Sequence, residues 1–110
     1  MILTIKERLL AMTGLSKQGD IIYLRVRDEL VKKLAMSEKE IIEYEVINAE
    51  GSVKWRFDLP QETEVKITEL QMKMIADDLI LLNKGKKLTP DHVSLYEKFV
   101  EKKNEKPNQN

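Results

Sequence analysis

His92 is the chain's one imidazole, the side chain most often recruited as a general base near neutral pH. It follows Thr89-Pro90-Asp91, a helix start with an N-cap hydroxyl, a proline at the first helical position and an acid near the positive helix end. A cationic imidazole is disfavoured in that first turn. No Ser, Cys or acid cluster stands around it at a motif spacing. The expectation is a surface or partly packed histidine, not a catalytic base. Cysteine is absent, which removes disulfides, thiol nucleophiles and thiolate metal ligands together. Any metal would need carboxylates, hence Mg²⁺, Ca²⁺ or Mn²⁺. Asp77-Asp78 is the only adjacent Asp pair. Neighbours on a helix point about 100° apart and cannot chelate one ion unaided, so the pair reads as a solvated margin. Gly85-Lys86-Lys87 fails as a phosphate loop. Ile80 stands where the first glycine belongs, and Lys87 where Ser or Thr is needed. No catalytic, cofactor-binding or metal-binding residue is assigned, and no cofactor or small-molecule ligand is expected.

Contact surfaces are the stronger theme. In the helix expected from about Thr68 to Asn83, Met72, Ile75, Ala76, Leu79 and Ile80 form one wide apolar stripe. Leu70, Met74 and Leu81 lie on nearly the opposite side, at about 100° per residue. This second stripe reads first as core, because a central helix is covered on both sides, and second as a docking ridge. Lys54 and Arg56 on an expected hairpin read as a solvated face, or as backbone contacts to a nucleic acid. The candidate partner-binding residues are therefore Leu70, Met74, Leu81, Lys54 and Arg56.

The elements that must carry these residues follow from local signals. Thr4 and Glu7 have capping-box spacing, with Ile5, Leu9 and Met12 behind them and Gly14 as a left-handed stop. Asp20 is an N-cap for a helix with Ile22, Val26, Leu30 and Leu34 on one stripe. Residues 21–27 also alternate like a strand, and the absence of Gly or Pro favours helix. Ser37 and Glu40 open a short helix. The period then changes. Tyr44 and Val46 alternate with Glu45, and Val53, Trp55 and Phe57 alternate with Lys54 and Arg56, apolar side inward. Val65 and Ile67 suggest a third strand. Thr68 with Gln71 resembles another cap. A last helix buries Val93, Tyr96, Phe99 and Val100. The expected fold class is α+β: N-terminal helices, a small antiparallel hairpin or three-stranded sheet, then two C-terminal helices.

The chain has 110 residues, 42% hydrophobic and 35% charged, the size of one ordinary domain. One globular unit over residues 1–103 with a polar tail over 104–110 is expected. Nineteen basic and nineteen acidic groups balance, which argues against a general polyanion binder. The acids concentrate in residues 37–69, nine against four bases, offering either internal attraction or an acidic face to a basic partner. No run of about 18 apolar residues suggests a membrane span. No signal-peptide pattern is seen, so a cytoplasmic location is expected.

Leu3-Thr4-Ile5-Lys6-Glu7-Arg8-Leu9-Leu10, Gly19-Asp20, Ser37-Glu38-Lys39-Glu40 and the closing run from Lys87 to Val100 resemble a group of small bacteriophage and prophage proteins of unknown function. The resemblance implies a phage or prophage origin and carries over no site residue. The leading expectation is a non-enzymatic protein-interaction domain, binding a protein partner or itself. A winged-helix-like nucleic-acid-binding regulator is the alternative. It is disfavoured because the third helix, Ser37-Glu38-Lys39-Glu40-Ile41-Ile42-Glu43, would turn three carboxylates toward phosphates. An enzyme with a dispersed carboxylate site is a further alternative.

Overall fold

The computed structural model describes residues 1–49, 51–55 and 62–102. In chain order these form β1 (Ile2–Leu3), α1 (Ile5–Gly14), α2 (Ile21–Leu34), α3 (Glu38–Glu43), β2 (Ile47–Ala49), β3 (Ser52–Lys54), β4 (Thr63–Glu64) and α4 (Glu69–Lys84). A closing helical segment follows: a 3₁₀ turn over Pro90–His92, α5 over Val93–Tyr96, and a π-wound stretch over Glu97–Glu101. The class is α+β, with helix dominant.

The helix starts are set by short-range side-chain chemistry. The Thr4 hydroxyl accepts from the Glu7 N–H at 3.1 Å, and the Glu7 carboxylate accepts from the Thr4 N–H at 2.9 Å. Ser37 with Glu40 and Thr68 with Gln71 repeat this reciprocal arrangement for α3 and α4. Each satisfies two amide groups that a helix start leaves without partners. Asp20 caps α2 by accepting from the Tyr23 N–H at 2.8 Å, so residues 21–27 are helical.

One core joins the helices. Ala11 and Leu15, Leu30 and Leu34 from α2, Ile75 and Leu79 from α4, and Leu95 and Phe99 from the closing segment are all buried together. Leu3 and Val65 close it from the β side. Each large side chain contributes roughly 1.5–3 kcal/mol of burial.

Several expectations are corrected. The strands form two separate ribbons, β1 with β4 and β2 with β3, both antiparallel. There is no three-stranded sheet among the described residues. Ile2 pairs with Glu64 and Leu3 with Thr63, so β4 lies just before Val65 and Ile67. Tyr44 and Glu45 form a turn, because Glu45 adopts a left-handed φ of 52° that breaks the alternation. The strand begins at Ile47. Val53 is exposed on β3, while Trp55 is half-buried; Arg56 and Phe57 lie outside the described residues. Gly14 is the last residue of α1 and is not left-handed, since an extended Leu15 forms the cap. In the last segment Val93 is exposed and Leu95 is buried in its place. The change of winding from 3₁₀ to α to π rotates the inward face away from the register of a uniform helix. The expected tail at 104–110 lies outside the described residues.

Candidate partner-binding surface

Helix α4 packs on α1, α2 and the closing segment. Its inner side carries Gln71, Ile75 and Leu79, all buried. Its outer side carries Leu70 and Leu81, which are 55% and 67% exposed. Met74 is half-buried and packs against the core. The expectation that this second stripe is core is therefore corrected for both leucines. The packing of α1, α2 and the closing segment is on the inner side of α4 and leaves the outer side to solvent. About 100° per residue places Leu81 within about 20° of Leu70, eleven positions along. Met74 borders the same line. Lys54 stands exposed on β3, in the separate β2–β3 ribbon. Arg56 lies outside the described residues. The structure thus unites three of the five candidates on one helix.

Below the ridge, the scaffold is locked by charges drawn into the protein. Glu7 and Arg8 are consecutive on α1, and both side chains are 3% exposed. The Lys98 ammonium donates to the Glu7 carboxylate at 2.8 Å and to the Ile2 carbonyl at 2.8 Å. Burial pushes the Glu7 carboxyl up. Hydrogen bonds from Lys98, the Thr4 amide and Ser94, together with the Lys98 charge, outweigh this and hold it below its ordinary value. The Arg8 guanidinium donates twice to Glu40, a bidentate geometry suited to a buried pair. Burial likewise raises Glu40, and the Arg8 and Ser37 hydrogen bonds, the Arg8 charge and Thr63 bring it below its usual range. Lys33 of α2 donates to the buried Gln71 of α4 at 2.9 Å. Sequence reasoning missed these partners. Glu7 was legible as a cap, but nothing local points to Lys98, 91 residues away.

Asp78 departs from the solvated-margin expectation. It is half-buried and its Oδ2 has no hydrogen-bond partner among the described residues. Burial, and then the neighbouring Asp77 charge, push its carboxyl up to about 6. Asp77 is exposed and accepts from Lys73 at 2.8 Å. His92 Nδ1 accepts from the Thr89 N–H at 3.0 Å and lies 2.9 Å from the Thr89 hydroxyl. That nitrogen is committed to a local cap, with the ring proton assigned to Nε2 by the donor it faces. Gly85 caps α4, consistent with a helix stop and not a phosphate loop.

Two further features were not anticipated. Ile21 and Ile22 on α2 and Ile42 on α3 are exposed; of the Ile22, Val26, Leu30 and Leu34 stripe only the C-terminal members Leu30 and Leu34 are buried in the core. An open groove of about 610 Å³ lies between α4 and the closing segment, floored by Met72, Ala76, Ile80, Phe99 and Val100. Among the described residues, no three His, Asp or Glu side chains gather as a metal site, and no helix is long and apolar enough to cross a membrane. The chain matches no known family model, no curated protein and no solved structure.

Proposed function

We propose that this protein is a non-enzymatic interaction domain that binds a protein through the outer face of α4. The observation that carries this reading is the exposure of Leu70 and Leu81 on one line of a helix whose opposite side is core. Two leucines more than half exposed and flanked by charged side chains have the composition of a helical contact ridge. The charges that could have served chemistry, Glu7, Arg8, Glu40 and Lys98, are engaged in structural pairs. A phage or prophage origin is supported by the sequence resemblance and fits a small adaptor-like chain.

The test is a paired capture experiment from bacterial lysate. Immobilised wild type and the Leu70→Ser/Leu81→Ser variant are compared, with equal far-UV dichroism and melting as the control for folding. A specific protein retained by the wild type and lost by the variant supports the reading. Equal capture by both contradicts it, as does capture by neither from a wild type that also stays monomeric.

A further inference from the structure

The outer face of α4 is self-complementary. Leu70 and Leu81 are equidistant from the point between Ile75 and Ala76. Along one flank of that leucine line run Glu69, Lys73, Asp77 and Lys84, all exposed. Their signs alternate minus, plus, minus, plus. Lys73 and Asp77 sit symmetrically about Ile75, and Glu69 and Lys84 about a point between Ala76 and Asp77. The apolar residues are thus symmetric about the helix middle while the charges are antisymmetric about nearly the same place. An antiparallel two-fold pairing is favoured by this pattern, because it sets each residue against its mirror position in sequence.

We propose that α4 pairs antiparallel with α4 of a second copy of this chain, about a two-fold axis near Ile75 and Ala76. This rests on reading the α4 ridge as a contact surface and names its partner. Leu70 of one copy then packs on Leu81 of the other, twice. Lys73 of one copy faces Asp77 of the other, in addition to its 2.8 Å pairing with Asp77 of its own helix, and Glu69 faces Lys84, each also twice. Those charges lie about one or two residues, roughly 1.5–3 Å, out of level along the axis, within reach of long side chains. A parallel pairing would instead set Leu70 on Leu70 and Leu81 on Leu81 and leave the charged flanks of the two copies on opposite edges of the contact. The overall charge balance adds no long-range repulsion between copies. The helix is 16 residues long, about 24 Å. One helix face covers less than the ~800 Å² per partner of a standard interface, so the pair is weak and concentration-dependent.

The absence of cysteine gives a clean probe. Full-length Leu70→Cys and Leu81→Cys are mixed under mild oxidation and compared with each variant alone. In the antiparallel pair residues 70 and 81 of different copies are level, whereas the two copies of residue 70 are about 16 Å apart along the axis, beyond the ~7 Å limit on the Cα separation of a disulfide. The expected result is a mixed disulfide forming at least several-fold faster than either symmetric one. Sedimentation of the wild type is expected to show dimer toward near-millimolar concentration. Lys73→Glu is expected to weaken that dimer about tenfold, since symmetry repeats the lost pair, and Lys73→Glu/Asp77→Lys to restore it. Faster cross-linking between identical positions overturns the antiparallel arrangement. A wild type that stays monomeric, yet captures a protein that Leu70→Ser/Leu81→Ser loses, overturns self-pairing and leaves the contact-surface reading standing. A monomer whose capture ignores that double variant overturns both.

Discussion

The two terminal nitrogens of Arg8 meet the two carboxylate oxygens of Glu40 at 3.3 and 2.7 Å, across 32 residues of sequence. The Arg8 side chain is 3% exposed. Its neighbour Glu7 accepts a single bond from the Lys98 ammonium at 2.8 Å, so one turn of α1 holds α3 and the closing segment together. Removing one member of such a pair strands a buried charge.

Arg8→Ala is therefore expected to cost about 3–5 kcal/mol, lowering the melting temperature by more than 10 °C in a chain of this size, by roughly 4–8 °C per kcal/mol. Lys6→Ala, which breaks the solvated pair with Asp91, is expected to change stability by less than about 0.5 kcal/mol. Thermal melts of both variants beside the wild type decide this.

Acid should loosen the same clamp. Glu7 and Glu40 are both held below their ordinary values in the fold. Their stabilisation is present above pH 4.5 and is lost as pH falls through the lowered folded values. Denaturant midpoints measured from pH 7 to pH 2 are expected to drop below about pH 4.5. Glu7→Gln is less stable at neutral pH and shows a shallower drop, because one of the two titrating groups is gone.

Asp78 has the opposite sign. Its folded carboxyl, pushed from 3.8 up to about 6, holds its proton more tightly than in the unfolded chain. Its contribution is favourable at low pH and is lost as pH rises from about 4 through 6. Asp78→Asn keeps the shape and removes the charge. It is expected to stabilise the protein by about 1–2 kcal/mol above pH 7, discounted for partial exposure, and to give no gain below pH 4. Urea unfolding of both proteins at the two pH values measures it.

Gly19 offers a steric test. A Cβ there would lie 2.5 Å from the Tyr23 ring, close to the backbone end of that side chain, where it cannot simply swing aside. Tyr23 is the residue whose hydroxyl donates to the Ser16 carbonyl at 3.1 Å. Gly19→Ala is expected to destabilise by about 1 kcal/mol, and near-UV dichroism should show the tyrosine's altered setting.

The residues that could be read in advance are those whose partners are close in sequence. Thr4 with Glu7, Ser37 with Glu40 and Thr68 with Gln71 act over three positions, so the starts of α1, α3 and α4 were visible as spacing. The pairing of Ile2–Leu3 with Thr63–Glu64 was not visible, because strands of two residues are too short to show alternation. Gly14 was misplaced because a glycine at a helix end has several exits besides the left-handed one. Sequence alone leaves Leu70 and Leu81 between core and docking ridge, because periodicity reports which residues share a face, while exposure depends on how many neighbours surround the helix. Asp78 looked like its neighbour Asp77, yet the 100° between them separates solvent from a half-buried seam.

Burial of the α4 ridge on association is measured most directly by methyl NMR with a soluble paramagnetic probe, in dilute and in concentrated wild type. The Leu70 and Leu81 methyls are expected to be strongly attenuated when dilute and protected when concentrated. Leu79 should stay protected throughout, and Ile22 on α2 should stay attenuated throughout. Leucines 70 and 81 that remain as accessible as Ile22 at every concentration would contradict self-pairing, and leucines protected like Leu79 even in the dilute monomer would contradict the exposed ridge itself.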